Sequence, residues 1–225
     1  MASTFLSVTL LLALSLGFIV IPSATSSPVY GGVFFTPISP RHEFSAPFRA
    51  PLQYSSPAVV FASSLDELHM LHSPLVAWGY FNDTINTTGW SFLSITTNIS
   101  ATDEEQAYAA GYLEGKLTVQ RIWQYIANVL NSETGYSHAL AKYVDENNAW
   151  VSEQGAQHFS SDSYWRHVSL LYTQNLGMYD GYSEAAPPAQ QLTYDVFYAA
   201  SLQGDKVCVC VCVCEYIYIY IYIYI

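Results

Sequence analysis

The chain has 225 residues, with seven Lys+Arg against 18 Asp+Glu and a formal net charge of −11; a field of that sign repels phosphate backbones, so nucleic-acid binding is excluded. Half of the residues are hydrophobic, 51%, but the excess lies at the two ends, and the roughly 180 residues between them have the composition of one globular domain or a piece of one. All four cysteines, Cys208, Cys210, Cys212 and Cys214, fall near the C-terminus, which excludes a disulfide, a thiolate metal site and a cysteine nucleophile from the body between Thr25 and Lys206.

Phe5 to Ile21 is apolar and uncharged, and Pro22 to Ser26 supplies the small residues that a signal peptidase needs. Residues 1–26 are therefore expected to be a secretion signal, which sends the chain into the secretory pathway. Pro22 and the absence of basic flanks argue against an uncleaved transmembrane anchor. Prolines at 28, 37, 40, 47, 51, 57 and 74 rule out a long helix across residues 27–73, which read as an irregular leader holding at most short extended pieces.

Leu75 to Phe81 changes to strand character. The polar turn Asn82 to Gly89 and a second strand, Trp90 to Thr97, complete a hairpin, and Trp90, Phe92, Leu93 and Ile95 give that strand the look of a buried one. Thr102 with Glu105 three residues on forms a capping box, and Asp103 and Glu104 suit the positive end of the helix that follows. Tyr108, Tyr112, Gly115, Val119, Ile122, Ile126 and Leu130 share one side, so this helix is expected to run from Thr102 to about Leu130. Gly111 and Gly115 each cost up to ~1 kcal/mol against Ala in a helix, an expense that close backbone packing on a neighbour would offset. Further helices are expected at Ser137–Gln154, at Asp162–Gly177 and from about Gln191 to Leu202, with Gly181, Pro187 and Pro188 breaking the pattern. The fold class is α+β: a strand pair under a helical layer, 74–206, with a sheet too small to stand alone.

Val207 to Cys214 alternates Val and Cys, and Tyr216 to Ile225 alternates Tyr and Ile, joined by Glu215. GTG-TGT encodes the first pair and TAT-ATA the second, so both are dinucleotide repeats in codon form. Residues 207–225 are therefore expected to be read-through from an exon ending near Lys206 into an intron. Read as peptide, the tail is a strand with two apolar faces, and a C-x-C-x-C-x-C metal strip is disfavoured because only Val separates the thiols and nothing lets the chain wrap an ion.

Three sequons, Asn82-Asp-Thr84, Asn86-Thr-Thr88 and Asn98-Ile-Ser100, cluster on the hairpin turn and the loop after it, so N-glycosylation is expected at Asn82, Asn86 or Asn98. Gly135-Tyr-Ser137-His-Ala139 imitates a nucleophile elbow, but that elbow needs an apolar strand before its serine. Here Leu130 to Thr134 is a polar helix end, and Ser137 reads as a helix N-cap. His138, His158 and His167 lack the spacing of metal ligands. No phosphate-cradling glycine loop occurs, and no cofactor or metal is expected. Nothing in composition or spacing supplies a catalytic residue.

Gly79-Tyr-Phe-Asn-Asp-Thr-Ile-Asn-Thr-Thr-Gly-Trp90 and Ala109-Ala-Gly-Tyr-Leu-Glu-Gly-Lys-Leu-Thr118, with a looser match over Asp195 to Asp205, resemble the phospholipase B-like family of lamina-ancestor-related hydrolases. The resemblance implies the N-terminal third of an αββα N-terminal-nucleophile sandwich, acting on a phospholipid or amide substrate through a cysteine exposed by autocleavage. In that family the cysteine follows the region matched here, so no catalytic residue is carried over, and the chain alone is expected to be inactive without the C-terminal catalytic part. A secreted noncatalytic glycoprotein with a binding or scaffolding role is the alternative. A serine esterase using Ser137, which a fluorophosphonate would label, is a third.

The tail combines high β-propensity, no Pro or Gly and one charge over 19 residues, the composition that pairs edge to edge with copies of itself. Deleting residues 207–225 is expected to raise soluble yield and leave helical circular dichroism unchanged. Equal aggregation of chains 27–225 and 27–206 would instead place the cause in the body.

Overall fold

The computed structural model describes residues 27–35, 57–71, 74–130 and 138–201. The readings of residues 1–26 as a signal, of Ser137 as a cap and of residues 207–225 as a repeat lie outside them. The elements in order are β1 (Val29–Phe35), β2 (Pro57–Ala62), α1 (Leu65–Leu71), β3 (Ala77–Asn82), α2 (Ile85–Thr88), β4 (Phe92–Thr97), α3 (Asp103–Leu117), α4 (Val119–Leu130), α5 (His138–His158), α6 (Ser163–Ala185) and α7 (Tyr194–Ser201). The class is α+β, with one antiparallel sheet of order β2-β1-β3-β4.

The expected hairpin is β3–β4, but it is half of the sheet and not the whole. Its other half comes from the Pro-rich stretch read as an irregular leader. Gly31 to Phe35 is covered on both faces, so the strand lacks the polar alternation that would have marked it. Pro57 sits where a strand tolerates proline, at the first residue of the edge strand β2. Tyr30 pairs with both Ala62 and Tyr80, and Val33 with both Val59 and Ala77, which makes β1 an interior strand.

Strand alternation sorts the side chains into two faces. Val33, Phe35, Val59, Ala77, Phe81 and Ile95 join Ala109, Leu113 and Leu117 of α3 in the main core. The opposite face meets α1: Gly32 lies against Leu68 and Leu75, and His69 packs edge-on to Trp78. β4 forms the open edge of the sheet. Phe92 is 57% exposed, Leu93 38% and Trp90, which precedes the strand, 72%, so the expectation that these three are buried is corrected, while Ile95 packs against the core: α1 packs on β1, β2 and β3, away from the β4 edge.

The capping box forms as expected. Glu105 N donates to Thr102 Oγ1 at 3.2 Å and Thr102 N to Glu105 Oε2 at 2.9 Å. The helix then ends at Leu117, well short of Leu130. Thr118 leaves helical geometry (φ −110°, ψ 16°), and its hydroxyl donates back to the Glu114 carbonyl at 2.8 Å, a local bond that competes with the helix ladder. The apolar stripe is thereby divided. Tyr108 and Tyr112 stay on α3, while Ile122 and Ile126 of α4 enter a second cluster with Tyr182, Phe197 and Ala200.

α6 begins after the expected cap Asp162, whose carboxylate accepts from Tyr164 N at 2.8 Å, but it runs to Ala185 through Gly177, its expected end, and Gly181, the expected breaker. Those glycines are packing sites. A Cβ at Gly177 would run into the Tyr108 carbonyl oxygen and one at Gly181 into that of Tyr112; reciprocally, Gly111 faces the carbonyl of Gln174 and Gly115 that of Met178. The two helices run parallel and touch backbone to backbone, which is the close packing expected for Gly111 and Gly115. α5 continues past the expected Gln154 to His158, and α7 begins at Tyr194, after the turn Pro188–Gln190.

Replacing Gly111 or Gly177 by Ala is expected to cost roughly 1–3 kcal/mol each, because a rigid carbonyl stands where the methyl must go and the helix-propensity gain of ~1 kcal/mol does not cover it. Gly155→Ala is the control. Its Cβ meets only the Ser169 hydroxyl, which can rotate away, so this variant should be neutral or up to ~1 kcal/mol more stable. Urea denaturation checks the three, and a neutral Gly111→Ala would contradict the packing.

Candidate functional site

Backbone contact between α3 and α6 brings a row of polar side chains together. Tyr108, Tyr112 and Lys116, each one turn apart on α3, meet Asp180 and Glu184, one turn apart on α6. Tyr108 Oη donates to Asp180 Oδ2 at 2.7 Å, Tyr112 Oη donates to Glu184, and Lys116 Nζ lies 3.1 Å from Glu184 Oε1 and 5.5 Å above the Tyr112 ring. Burial, and then Glu184 and Asp180, push the Tyr112 phenol far above its ordinary range. The phenol stays neutral and acts as a donor, and the row is a clamp across the two helices.

Tyrosines also fill the far side of α6. Tyr198 donates to Asn148 Oδ1 at 3.0 Å, and Asn148 is the buried polar side chain of α5. Tyr194 stacks on Tyr198, and its phenol is raised by burial first and by Tyr172 and Asp180 next.

A second polar cluster ties the hairpin tip to α4. Arg121 donates from Nε to Asp83 Oδ2 at 2.9 Å and from Nη2 to Asp83 Oδ1 at 2.7 Å, and Ser91 Oγ donates to the same Oδ1 at 2.8 Å. This fork-on-carboxylate pairing holds Asp83 below the usual carboxylate range. Two of the three sequons flank it, Asn82 at the end of β3 and Asn86 on α2, whereas Asn98, after β4, lies at the other end of the hairpin beside Leu75.

The remaining candidates stand apart. Ser137, Cys208, Cys210, Cys212 and Cys214 lie outside the described residues, and of His138 only the backbone is described. His167 places Nδ1 2.6 Å from the Ser163 carbonyl oxygen. It borders a cleft of about 430 Å³ lined also by Asp103, Phe159, Asp162 and Arg166. Arg166 is paired there with Asp103, and the cleft holds no cysteine. Among the described residues no group of three His, Cys, Asp or Glu is placed to hold a metal ion, and no helix is long and apolar enough to cross a membrane.

Sequence reasoning missed both polar clusters. The α3 row carried a signal, since Tyr-x-x-x-Tyr-x-x-x-Lys and Asp-x-x-x-Glu are complementary ladders. Asp83 and Arg121 carried none, because only the fold brings them together.

Comparison with known proteins places these features in context. The family model described as Phospholipase B matches residues 77–208, from the start of β3 to beyond α7. Phospholipase B-like protein B of Dictyostelium discoideum is 36% identical over 137 residues, 59% of this chain and 24% of the relative. Phospholipase B-like protein E of the same organism is 35% identical over 136 residues, 58% of this chain and 24% of the relative. The chain thus spans about a quarter of the length of these relatives.

Glu114 gives a pH-dependent handle on the α3 scaffold. It is half-buried on α3, and burial raises its carboxyl above the ordinary value. The unfolded chain releases this proton near pH ~4.3 and the folded chain at higher pH, so stability falls as pH rises through the interval between them. Glu114→Gln is expected to raise the urea midpoint at neutral pH and to leave it unchanged at pH ~3, where both states carry the proton. Identical midpoints at both pH values would contradict this.

Proposed function

Because the chain belongs to the phospholipase B family, we propose that it is the N-terminal part of a phospholipase B-like acyl hydrolase, whose complete form deacylates phospholipids at a carboxylic ester or amide bond. The observation that carries the reading is the family match across β3 to α7. The role assigned to this part is architectural: the sheet, and α3 locked to α6, form one wall of an αββα sandwich of the N-terminal-nucleophile type. The remaining three quarters of the relatives' length would bring the second sheet, the cysteine nucleophile and the lipid site.

The 225-residue chain by itself is proposed to be catalytically inactive. Its body has no cysteine between Thr25 and Lys206, and the buried Tyr112 phenol is held neutral. The apolar run before Pro22 supports entry into the secretory pathway and a final location outside the cell or in the lysosomal lumen. The absence of cysteine from the body also supports the second reading, a secreted noncatalytic glycoprotein. Sequencing the transcript past the codon for Lys206 separates the two: a frame continuing into a long cysteine-bearing domain favours the hydrolase, and a frame ending in the repeat favours the glycoprotein.

Purified 225-residue protein is expected to release no fatty acid from phosphatidylcholine vesicles above a heat-killed control. Release above that control would overturn the proposed inactivity.

A further inference from the structure

The three sequons are alike as sequence but stand in different physical situations. Asn98 is committed to the fold at both ends of its carboxamide. Nδ2 donates to the Leu75 carbonyl at 3.2 Å and Oδ1 accepts from Ser100 N at 2.9 Å, while its own backbone N–H donates to the Val76 carbonyl at 2.9 Å. It pins the segment entering β3 to the turn that launches α3. Asn82, the last residue of β3, sits opposite Phe92 and has its Oδ1 buried without a hydrogen-bond partner among the described residues. A sugar on Asn98 would have to be fitted where protein already lies, and one on Asn82 would crowd the sequon at Asn86, four residues on.

Asn86 differs. It is exposed on α2, and the hydrogen bonds of that turn are made without its side chain: Thr87 and Thr88 hydroxyls donate to the Thr84 carbonyl at 3.0 Å, Thr84 Oγ1 donates to the Trp90 carbonyl at 2.8 Å, and Gly89 N caps the turn on Ile85 O at 2.9 Å. The surface beside it is apolar and unoccupied, with Ile85 39% and Trp90 72% exposed, and an aromatic face left in water is a partner for the C–H face of a sugar.

We infer that the folded protein carries one N-linked glycan, on Asn86, and that Asn98 and Asn82 stay bare. The linkage forms when Nδ2 of Asn86 attacks the anomeric carbon of an N-acetylglucosamine activated as a lipid diphosphate. The N–C1 bond forms, the C1–O bond breaks, the diphosphate leaves with the electron pair, and the amide proton passes to a base of the transferase. Chains modified on Asn98 must seat a sugar on the nitrogen that faces the Leu75 carbonyl and do not enter the folded pool. This inference rests on the secretory reading proposed above. A heterologous signal separates the two, since failure of the native leader to direct export leaves the site assignment untouched.

The test is expression of the full chain behind a heterologous signal in a eukaryotic host. Soluble protein from lumen and medium is treated with peptide N-glycosidase in ¹⁸O water, and the peptides around residues 82, 86 and 98 are mapped by mass spectrometry. Labelled Asp is expected at 86 and unmodified Asn at 82 and 98; a bare Asn86, or glycan on Asn82 or Asn98 in soluble material, overturns the inference. Unglycosylated protein made in bacteria gives the second measurement. Asn98→Ala is expected to lower the thermal midpoint by several degrees and Asn86→Gln to leave it unchanged, and the reverse order would remove the structural role assigned to Asn98.

Discussion

The contact between α3 and α6 is the constraint from which the helical layers follow. Four glycines face carbonyls at a separation that admits no Cβ, so the helices approach more closely than any larger residue allows and are held by dispersion and weak Cα–H···O contacts. Helix propensity is sacrificed at each of the four. The return is register: one setting brings Tyr108 onto Asp180 and Tyr112 onto Glu184, and a shift by one residue loses both. Parallel alignment sets the two positive helix ends side by side, and the carboxylates there, Asp103, Glu104 and Glu105 on α3 and Asp162 at the cap of α6, offset their repulsion.

The same contact explains why α3 was only partly legible. Its start was plain, because a capping box is local chemistry. Its pattern was not, because a helix buried against the sheet on one side and against α6 on the other has no broad polar face to reveal its period. The cost of Gly111 and Gly115 in a helix points to their packing, whereas Gly181 resembles a breaker because a glycine beyond a plausible helix end usually is one. β1 was hidden by the proline-rich stretch around it, and nothing local distinguishes an interior strand of two glycines and three apolar residues from a short extended piece of loop.

The stretches that carry the family resemblance hold four glycines that the backbone constrains tightly. Gly79 stands opposite the Ser94 carbonyl, where a side chain has no room, and Gly89 closes α2 at φ +80°, the positive-φ residue among those described. Gly111 and Gly115 complete the set. A short motif can be specific because each of its glycines answers to a different steric demand. The polar clusters had no such signature. Asp83 and Arg121, like Tyr112 and Glu184, become neighbours only once distant segments have packed, and a residue type alone does not announce its partner.

The family match begins at Ala77, yet β3 is hydrogen-bonded along one side to β1, and Leu113 lies directly over Gly31. The shared segment is therefore not an autonomous unit, since cutting the chain at its boundary bares an interior strand and opens the floor beneath α3. Protein synthesis meets the same dependence from the other direction. The β1–β2 ribbon leaves the ribosome before β3 and α3 exist, and a two-stranded ribbon is marginal in water. At 5–20 residues per second it waits seconds for its cover, an interval in which its apolar face has only water against it.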